Sequence, residues 1–206
     1  MPEEQAIRFD ENGLVPCVAQ DWSTGEVLTL AYMSAESLAL TRETREVHFW
    51  SRSREEIWRK GETSGNVLRL KQLRFDCDAD AIVALVEPTG PACHTGERSC
   101  FHRDLEGGSE PLPAAHEALS ALERTLADRG RDRPEGSYTV ELLDDPERIA
   151  AKVREEADEV SRAAADESDD RVTDEAADVL YHLAVLLRSR DLSMSDALGV
   201  LNARRR

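Results

Sequence analysis

Lysine is almost missing from this 206-residue chain: Lys60, Lys71 and Lys152 stand against 23 arginines. Positive charge as a whole falls short, with 26 Lys+Arg against 42 Asp+Glu and a formal net charge of −16. The deficit is not a tail, because residues 1–110 and 111–206 carry −8 each. So acidic a chain argues against nucleic acid or an anionic membrane as partner, and an anionic substrate would need cations placed locally. Long apolar runs are lacking too. No stretch reaches membrane-spanning length, and the N-terminus has no charged-then-apolar leader pattern, which reads as a cytoplasmic chain. Cysteine is sparse, at four residues. In a reducing compartment, cysteines at short spacing read as metal ligands before disulfides. Cys17, alone in the apolar run 14–19, reads as a small buried hydrophobe.

What is present is concentrated in one stretch. Asp76-Cys77-Asp78-Ala79-Asp80 is followed by Gly90-Pro91-Ala92-Cys93-His94-Thr95-Gly96-Glu97-Arg98-Ser99-Cys100. Soft thiolates select zinc; hard carboxylates select magnesium or calcium. In a strand, aspartates at i, i+2 and i+4 share one face while Cys77 points to the other, so two metals could flank one strand. A solvated strand end is the plain alternative. Cys77, Cys93 and Cys100 with no evident fourth ligand leave an open position, the pattern of a catalytic zinc site; a structural zinc site is the alternative. His94, next to Cys93, is a candidate base or a histidine that only supports its neighbour.

Around this stretch the first half reads as a β-rich α+β domain. Residues 1–10 read as a lead-in, 15–20, 25–32, 46–51, 66–75 and 81–86 as strands, and Ser34 as the N-cap of a helix through about residue 42. Trp50-Ser51-Arg52-Ser53-Arg54 and Lys60-Gly61-Glu62-Thr63-Ser64-Gly65-Asn66 suit a phosphate-binding loop, or a polar hairpin loop with core tryptophans. Residues 104–113 hold Gly, Ser and Pro without periodicity and read as a connection.

The second half reads as an all-α bundle, with helices over 113–128, 146–165, 172–190 and 193–204 and a loop over 129–139. Ile149, Val153, Ala157, Val160 and Ala164 form an apolar stripe, with Lys152, Glu156 and Glu159 along its edge. The next helix is apolar almost all round, as if buried, with Glu175, Asp178 and His182 on one stripe. Two facing carboxylate stripes inside a bundle make a divalent-ion site, magnesium if phosphates complete the shell.

Residues 13–105 resemble phosphoribosyl-AMP cyclohydrolase through Leu30-Ala31-Tyr32-Met33, Phe49 to Arg54, Trp58, Lys60 to Asn66, Asp76 to Asp80 and Gly90 to Phe101. The resemblance implies Zn2+ on Cys77, Cys93 and Cys100 and Mg2+ on Asp76, Asp78 and Asp80. It further implies a homodimer sharing the zinc site between subunits, and zinc-activated water opening the adenine ring at N1–C6. Trp50, Ser51, Arg52, Ser53, Lys60, Gly61, Thr63 and Ser64 would contact substrate, with His94 as catalytic candidate. Residues 112–206 resemble phosphoribosyl-ATP pyrophosphohydrolase of the all-α MazG-type group through Glu155, Glu156, Glu159, Glu175 and Asp178, and through Ser137-Tyr138-Thr139, Lys152 and Tyr181-His182. This implies Mg2+ on those five carboxylates, substrate contact from Lys152, and Glu156 or Glu159 as base. Arg154 and Asp144-Asp145-Pro146 stand where many members have glycine. The expected chain is a fused hydrolase of histidine biosynthesis acting on small nucleotides. It would have a cyclohydrolase domain at 1–105, a linker at 106–113 and a pyrophosphohydrolase domain at 114–206. A general NTP pyrophosphohydrolase in the second half, or a non-catalytic zinc-stapled binding module, are the alternatives.

Overall fold

Alternating apolar residues build the first half into a sheet, and helical spacing builds the second into a bundle. The computed structural model describes residues 7–105 and 114–205, in two units, Met1–Pro113 and Ala114–Arg206. The expected connection over 106–113 and the first six residues of the lead-in lie outside the described residues.

Among its described residues the first unit has six strands: β1 (Leu14–Asp21), β2 (Val27–Ser34), β3 (His48–Ser51), β4 (Glu56–Arg59), β5 (Leu68–Phe75) and β6 (Ile82–Pro88). They form one sheet in the order β4-β3-β2-β1-β6-β5, with only β1 and β6 parallel. Its β5 edge curls back to the segment before β3. Val47 N–H donates to the Leu68 carbonyl at 3.0 Å, and the Arg45 guanidinium reaches the carbonyls of Leu70 and Lys71 at 3.0 and 2.8 Å. Backbone groups of that edge are thus paired rather than left as a template for aggregation. Strand parity sends Val15, Cys17 and Ala19 of β1 into the core with Leu28, Met33, Phe49, Leu70, Ala84 and Val86. Cys17 is fully buried, and burial pushes its thiol up to about 12, as fits a packing residue. The same parity carries Asp21, at the end of β1, to 3% exposure.

Helix α1 (Ala35–Thr44) starts where Ser34 predicts. The Ser34 hydroxyl accepts from Ser37 N–H at 3.2 Å, and the Ser37 hydroxyl accepts from Ser34 N–H at 2.9 Å. Serine thus does at the third position what glutamate usually does.

Three readings of this half are corrected. Residues 7–10 are not a frayed lead-in: Ile7 and Phe9 pack on the core, and Arg8 N–H donates to the Ala79 carbonyl at 2.7 Å. Strand β4 lies inside the stretch read as a loop, paired with β3 through Phe49↔Trp58. Only four residues long and carrying Glu56 and Arg59, it shows too little alternation to stand out. Finally, Asp76–Asp80 is a turn between β5 and β6, with Ala79 at φ 62°, not a strand with two faces.

Among its described residues the second unit has a short 3-10 turn (Ala115–Glu117) and five helices: α2 (Ala118–Asp132), α3 (Tyr138–Asp144), α4 (Pro146–Asp166), α5 (Asp169–Arg188) and α6 (Met194–Ala203). Its core joins Leu126, Leu142, Ile149, Ala184, Val185 and Met194. The helix α3 was not expected; it contributes the fully buried Leu142. α4 starts with Pro146 at its first turn and Asp145 as N-cap, accepting from Arg148 N–H at 3.0 Å. Its inward line is Ile149, Val153, Glu156, Val160 and Ala163, whereas Ala157 and Ala164 are exposed. Glu156 therefore sits in the buried face, not along its edge. α5 is not buried all round either: Ala177 and Leu180 are exposed.

Gly61 shows why one loop residue cannot change. Its φ is 89°, and a Cβ there would lie 2.4 Å from the Asn66 carbonyl carbon and oxygen, which are backbone and cannot swing aside. Gly61→Ala is expected to destabilise the first unit by at least about 1–2 kcal/mol, the left-handed cost alone. Denaturant unfolding followed by tryptophan fluorescence checks this.

Candidate metal centres

Cys93 and Cys100 come together on the irregular segment that follows β6. Cys93 is buried, and the hydroxyl of Thr95 donates to its sulfur at 3.1 Å. That bond is the first cause holding the Cys93 thiol below the ordinary range, with a hydrogen bond from Cys100 adding to it. Cys100 is shifted up, chiefly by desolvation and also by the charge of Cys93. Adjacent thiols pushed in opposite directions are a pair that a cation would relieve. Lys60, 9% exposed, lies close enough to feel both sulfurs; burial lowers its ammonium and the two cysteines oppose that shift. His94 is exposed, with Nδ1 3.9 Å from the Cys93 sulfur.

Cys77 does not join them. It is exposed on the β5–β6 turn, its sulfur 3.9 Å from an Asp78 oxygen, and no set of three that includes it reaches ligand spacing among the described residues. The turn gathers Asp76, Asp78 and Asp80 instead, with carboxylate oxygens within 4.8 Å of one another. Asp76 Oδ1 accepts from the N–H groups of Asp80 and Ala81 at 3.0 and 3.1 Å. Desolvation alone would raise Asp76, but these backbone bonds win and lower it. Asp80 is raised, first by the charge of Asp78. A turn thus does what a strand face was expected to do, since a cation site needs converging oxygens and not a particular secondary structure.

The expected substrate residues fall into two groups. Trp50, Ser51, Arg52 and Ser53 are at the tip of the β3–β4 hairpin, where the Arg52 guanidinium lies 4.0 Å over the Tyr32 ring. Lys60, Gly61, Thr63 and Ser64 follow the other end of β4. Four strand residues separate the ends by about 13 Å, so within one chain they do not form a single loop.

In the helical unit, Glu156 of α4 meets Glu175 and Asp178 of α5, with ligand oxygens within 4.8 Å. Glu156 and Glu175 are buried. Lys152 Nζ contacts Glu156 at 2.8 Å and Glu155 at 3.0 Å; the Glu156 bond is the largest of the effects that raise the Lys152 ammonium. Arg171 pairs with Glu175. Glu155 and Glu159 do not reach the group's spacing. Glu159 lies near it nonetheless: burial first, then the charges of Glu175 and Glu156, raise its carboxyl. Arg154 is exposed and lines an open groove of about 630 Å3 with Asp145, Glu147, Arg148, Ala150 and Ala151 on α4.

Beside the carboxylates, His182 is buried and multiply held. Nδ1 donates to the Asp178 carbonyl at 2.9 Å and lies 3.5 Å from Glu156 Oε1; Nε2 accepts from the Tyr138 hydroxyl at 3.2 Å. Thr139 and Tyr181 share a hydroxyl bond at 2.8 Å. The Ser137-Tyr138-Thr139 and Tyr181-His182 motifs are therefore one contact network. Arg171 was missed because the expected helix began one residue later; its position four before Glu175 was the available signal. Thr95 had none beyond its closeness to Cys93.

A thiol- and carboxylate-bearing sheet domain followed in sequence by a carboxylate-lined bundle defines a bifunctional hydrolase. Family models agree: residues 29–102 match phosphoribosyl-AMP cyclohydrolase and residues 119–205 match phosphoribosyl-ATP pyrophosphohydrolase. The chain is 48% identical to the histidine biosynthesis bifunctional protein HisIE of Bacillus subtilis (strain 168), covering 99% of this chain and 97% of that one. It is 47% identical to the HisIE protein of Thermus thermophilus, over 98% and 93% of the two chains, and 45% identical to that of Prochlorococcus marinus subsp. pastoris, over 98% and 94%. The chain belongs to this family of bifunctional histidine-biosynthesis enzymes, with cyclohydrolase and pyrophosphohydrolase domains in that order.

The Thr95 bond gives a direct test. It stabilises the Cys93 thiolate, so Thr95→Val should move the pH profile of Cys93 alkylation in metal-free protein to higher pH. An unmoved profile would show that the hydroxyl does not set thiol acidity.

Proposed function

We propose that the first domain, residues 1–105, uses Zn2+ on Cys93, Cys100 and a Cys77 from a second copy of the chain, and Mg2+ on Asp76, Asp78 and Asp80. The second domain, residues 114–206, uses Mg2+ on Glu156, Glu175 and Asp178, with Glu155 and Glu159 joining as the shell fills. The observation that carries this reading is the grouping of donors: a thiol pair and, apart from it, a turn of three aspartates in the first unit, and a carboxylate group in the second. An exposed Cys77 away from a facing thiol pair supports a homodimer that shares the zinc site. A reducing cytoplasmic setting belongs to the same reading, since the ligand thiols must stay unoxidised.

Bound zinc would supply an acidified water, and bound magnesium would neutralise phosphate charge. The protein's own groups do the rest. In the second domain, water adds to the α-phosphorus of phosphoribosyl-ATP and the bond to the bridging oxygen breaks, giving phosphoribosyl-AMP and pyrophosphate. Glu159, its carboxyl raised, is the candidate to take the water's proton, with Glu156 the second choice because Lys152 already occupies one of its oxygens at 2.8 Å. In the first domain, water adds at C6 of the adenine ring and the N1–C6 bond opens. His94, exposed beside Cys93, is the candidate to accept a proton there. Lys60 and the hairpin-tip residues Trp50, Ser51, Arg52 and Ser53 would hold phosphate and ribose, and Thr63 and Ser64 would add hydroxyl contacts.

Cys93→Ser is expected to abolish ring opening and leave pyrophosphate release intact; Glu156→Gln should do the reverse. Each loss should exceed about 100-fold, because a ligand and not a supporting contact is removed. Both reactions are followed separately on the same purified protein, with canonical NTPs offered beside phosphoribosyl-ATP. Loss of both activities from one substitution in folded protein, or a preference for canonical NTPs, would overturn the assignment.

A further inference from the structure

Cys93 and Cys100 lie on a segment, 89–105, that has neither helix nor strand of its own. Two thiols seven residues apart on such a segment need an external brace to face each other. Three links supply it, all to the β1–β2 hairpin. The Ser99 hydroxyl donates to the Val27 carbonyl at 2.7 Å, and Cys100 N–H donates to the Leu28 carbonyl at 2.8 Å. The third link is charged. Arg98 donates from one terminal nitrogen to Asp21 Oδ2 at 2.6 Å and from Nε to the Glu26 carboxylate.

The acceptor side of that clamp is rigid. Asp21 is 3% exposed, and its other oxygen already accepts from Ser23 N–H, the Ser23 hydroxyl and Thr24 N–H at 2.8, 2.7 and 3.2 Å. The donor side transmits the constraint. The Arg98 carbonyl accepts from Ala92 N–H at 3.0 Å, and the Glu97 carbonyl accepts from Cys93 N–H at 2.9 Å. One clamped residue therefore fixes the backbone entering Cys93 and stands two residues before Cys100.

We propose that Arg98 is a positioning residue for the cyclohydrolase metal site, its guanidinium held by Asp21 and Glu26 so that Cys93 and Cys100 meet as a ligand pair. This rests on the reading that those thiols hold zinc. A planar fork bonded to two carboxylates fixes direction as well as distance, which a lysine ammonium cannot do.

The test uses the full chain and its variants Arg98→Met, Arg98→Lys and Glu26→Gln. Zinc affinity is measured by competition with a chromophoric chelator, and the thiolate-to-metal charge-transfer band is recorded on the cobalt-substituted proteins. Arg98→Met should weaken zinc binding about 10–100-fold, the range for groups that orient metal ligands, and shift or weaken the cobalt band. Arg98→Lys should recover only part of the loss. Glu26→Gln, which keeps the buried Asp21 paired, should show a smaller loss of the same kind. Pyrophosphate release should stay at the parent rate throughout. Parent zinc affinity and an unchanged cobalt band in Arg98→Met would overturn the proposal; should that variant fail to fold, the same result in Glu26→Gln would overturn it. A parent protein that takes up no zinc would overturn the underlying reading instead, before any variant is compared.

Discussion

A carboxylate taken out of water has to be answered by a cation, and both domains are organised by that requirement. Asp21, Glu156 and Glu175 are each about 5% exposed or less. They are answered by Arg98, Lys152 and Arg171 respectively. Removing the cation would leave a buried carboxylate without its charge partner, which destabilises the domain. In the sheet domain the pair ties an irregular cysteine segment to a hairpin. In the bundle two pairs hold Glu156 and Glu175, the buried members of the carboxylate group between α4 and α5. Arginine and lysine are thus committed locally in a chain whose net charge is −16.

The placement of the functional groups follows from elementary geometry once these pairs are fixed. α4 presents Ile149, Glu156 and Ala163 inward at seven-residue spacing, so a glutamate occupies a position a helix would otherwise give to a leucine. The tight β5–β6 turn, with Ala79 left-handed, points three aspartates at one place. Neither arrangement is favoured by packing alone, because like charges repel at such spacing; the raised carboxyl of Asp80 registers that repulsion, and at Glu159 the charges of Glu175 and Glu156 add to burial. Divalent-ion chemistry is what such an arrangement serves. The two departures from the wider family pattern leave these groups alone. Asp145 caps α4, and Arg154 lines a groove with Arg148 and Glu147.

Much was legible beforehand. Ser34 marked the start of α1 because its hydroxyl can replace a missing backbone acceptor, and Pro146 marked α4 because its ring suits a first turn. The residue types at 76–80, 93, 100, 156, 175 and 178 announced soft and hard donors whatever their backbone. What misled was inferring shape from spacing. Alternating aspartates suggested a strand, yet the hydrogen bonds of Asp76 close a turn. Apolar spacing put Ala157 in the buried face of α4, yet the ion pair with Lys152 lets Glu156 take that side.

The sequence by itself determined the two domain types and the chemistry of the donors, because composition, periodicity and ligand identity are local properties, and its resemblance to two families carried the order of the two hydrolytic activities. Only the tertiary structure decided which donors meet. It joined Cys93 to Cys100 and left Cys77 on an outer turn, split the expected phosphate loop across a hairpin, and brought Tyr138 to His182. Those meetings depend on strand pairing and helix packing between residues far apart in the chain, and no local pattern encodes a distance that folding alone creates.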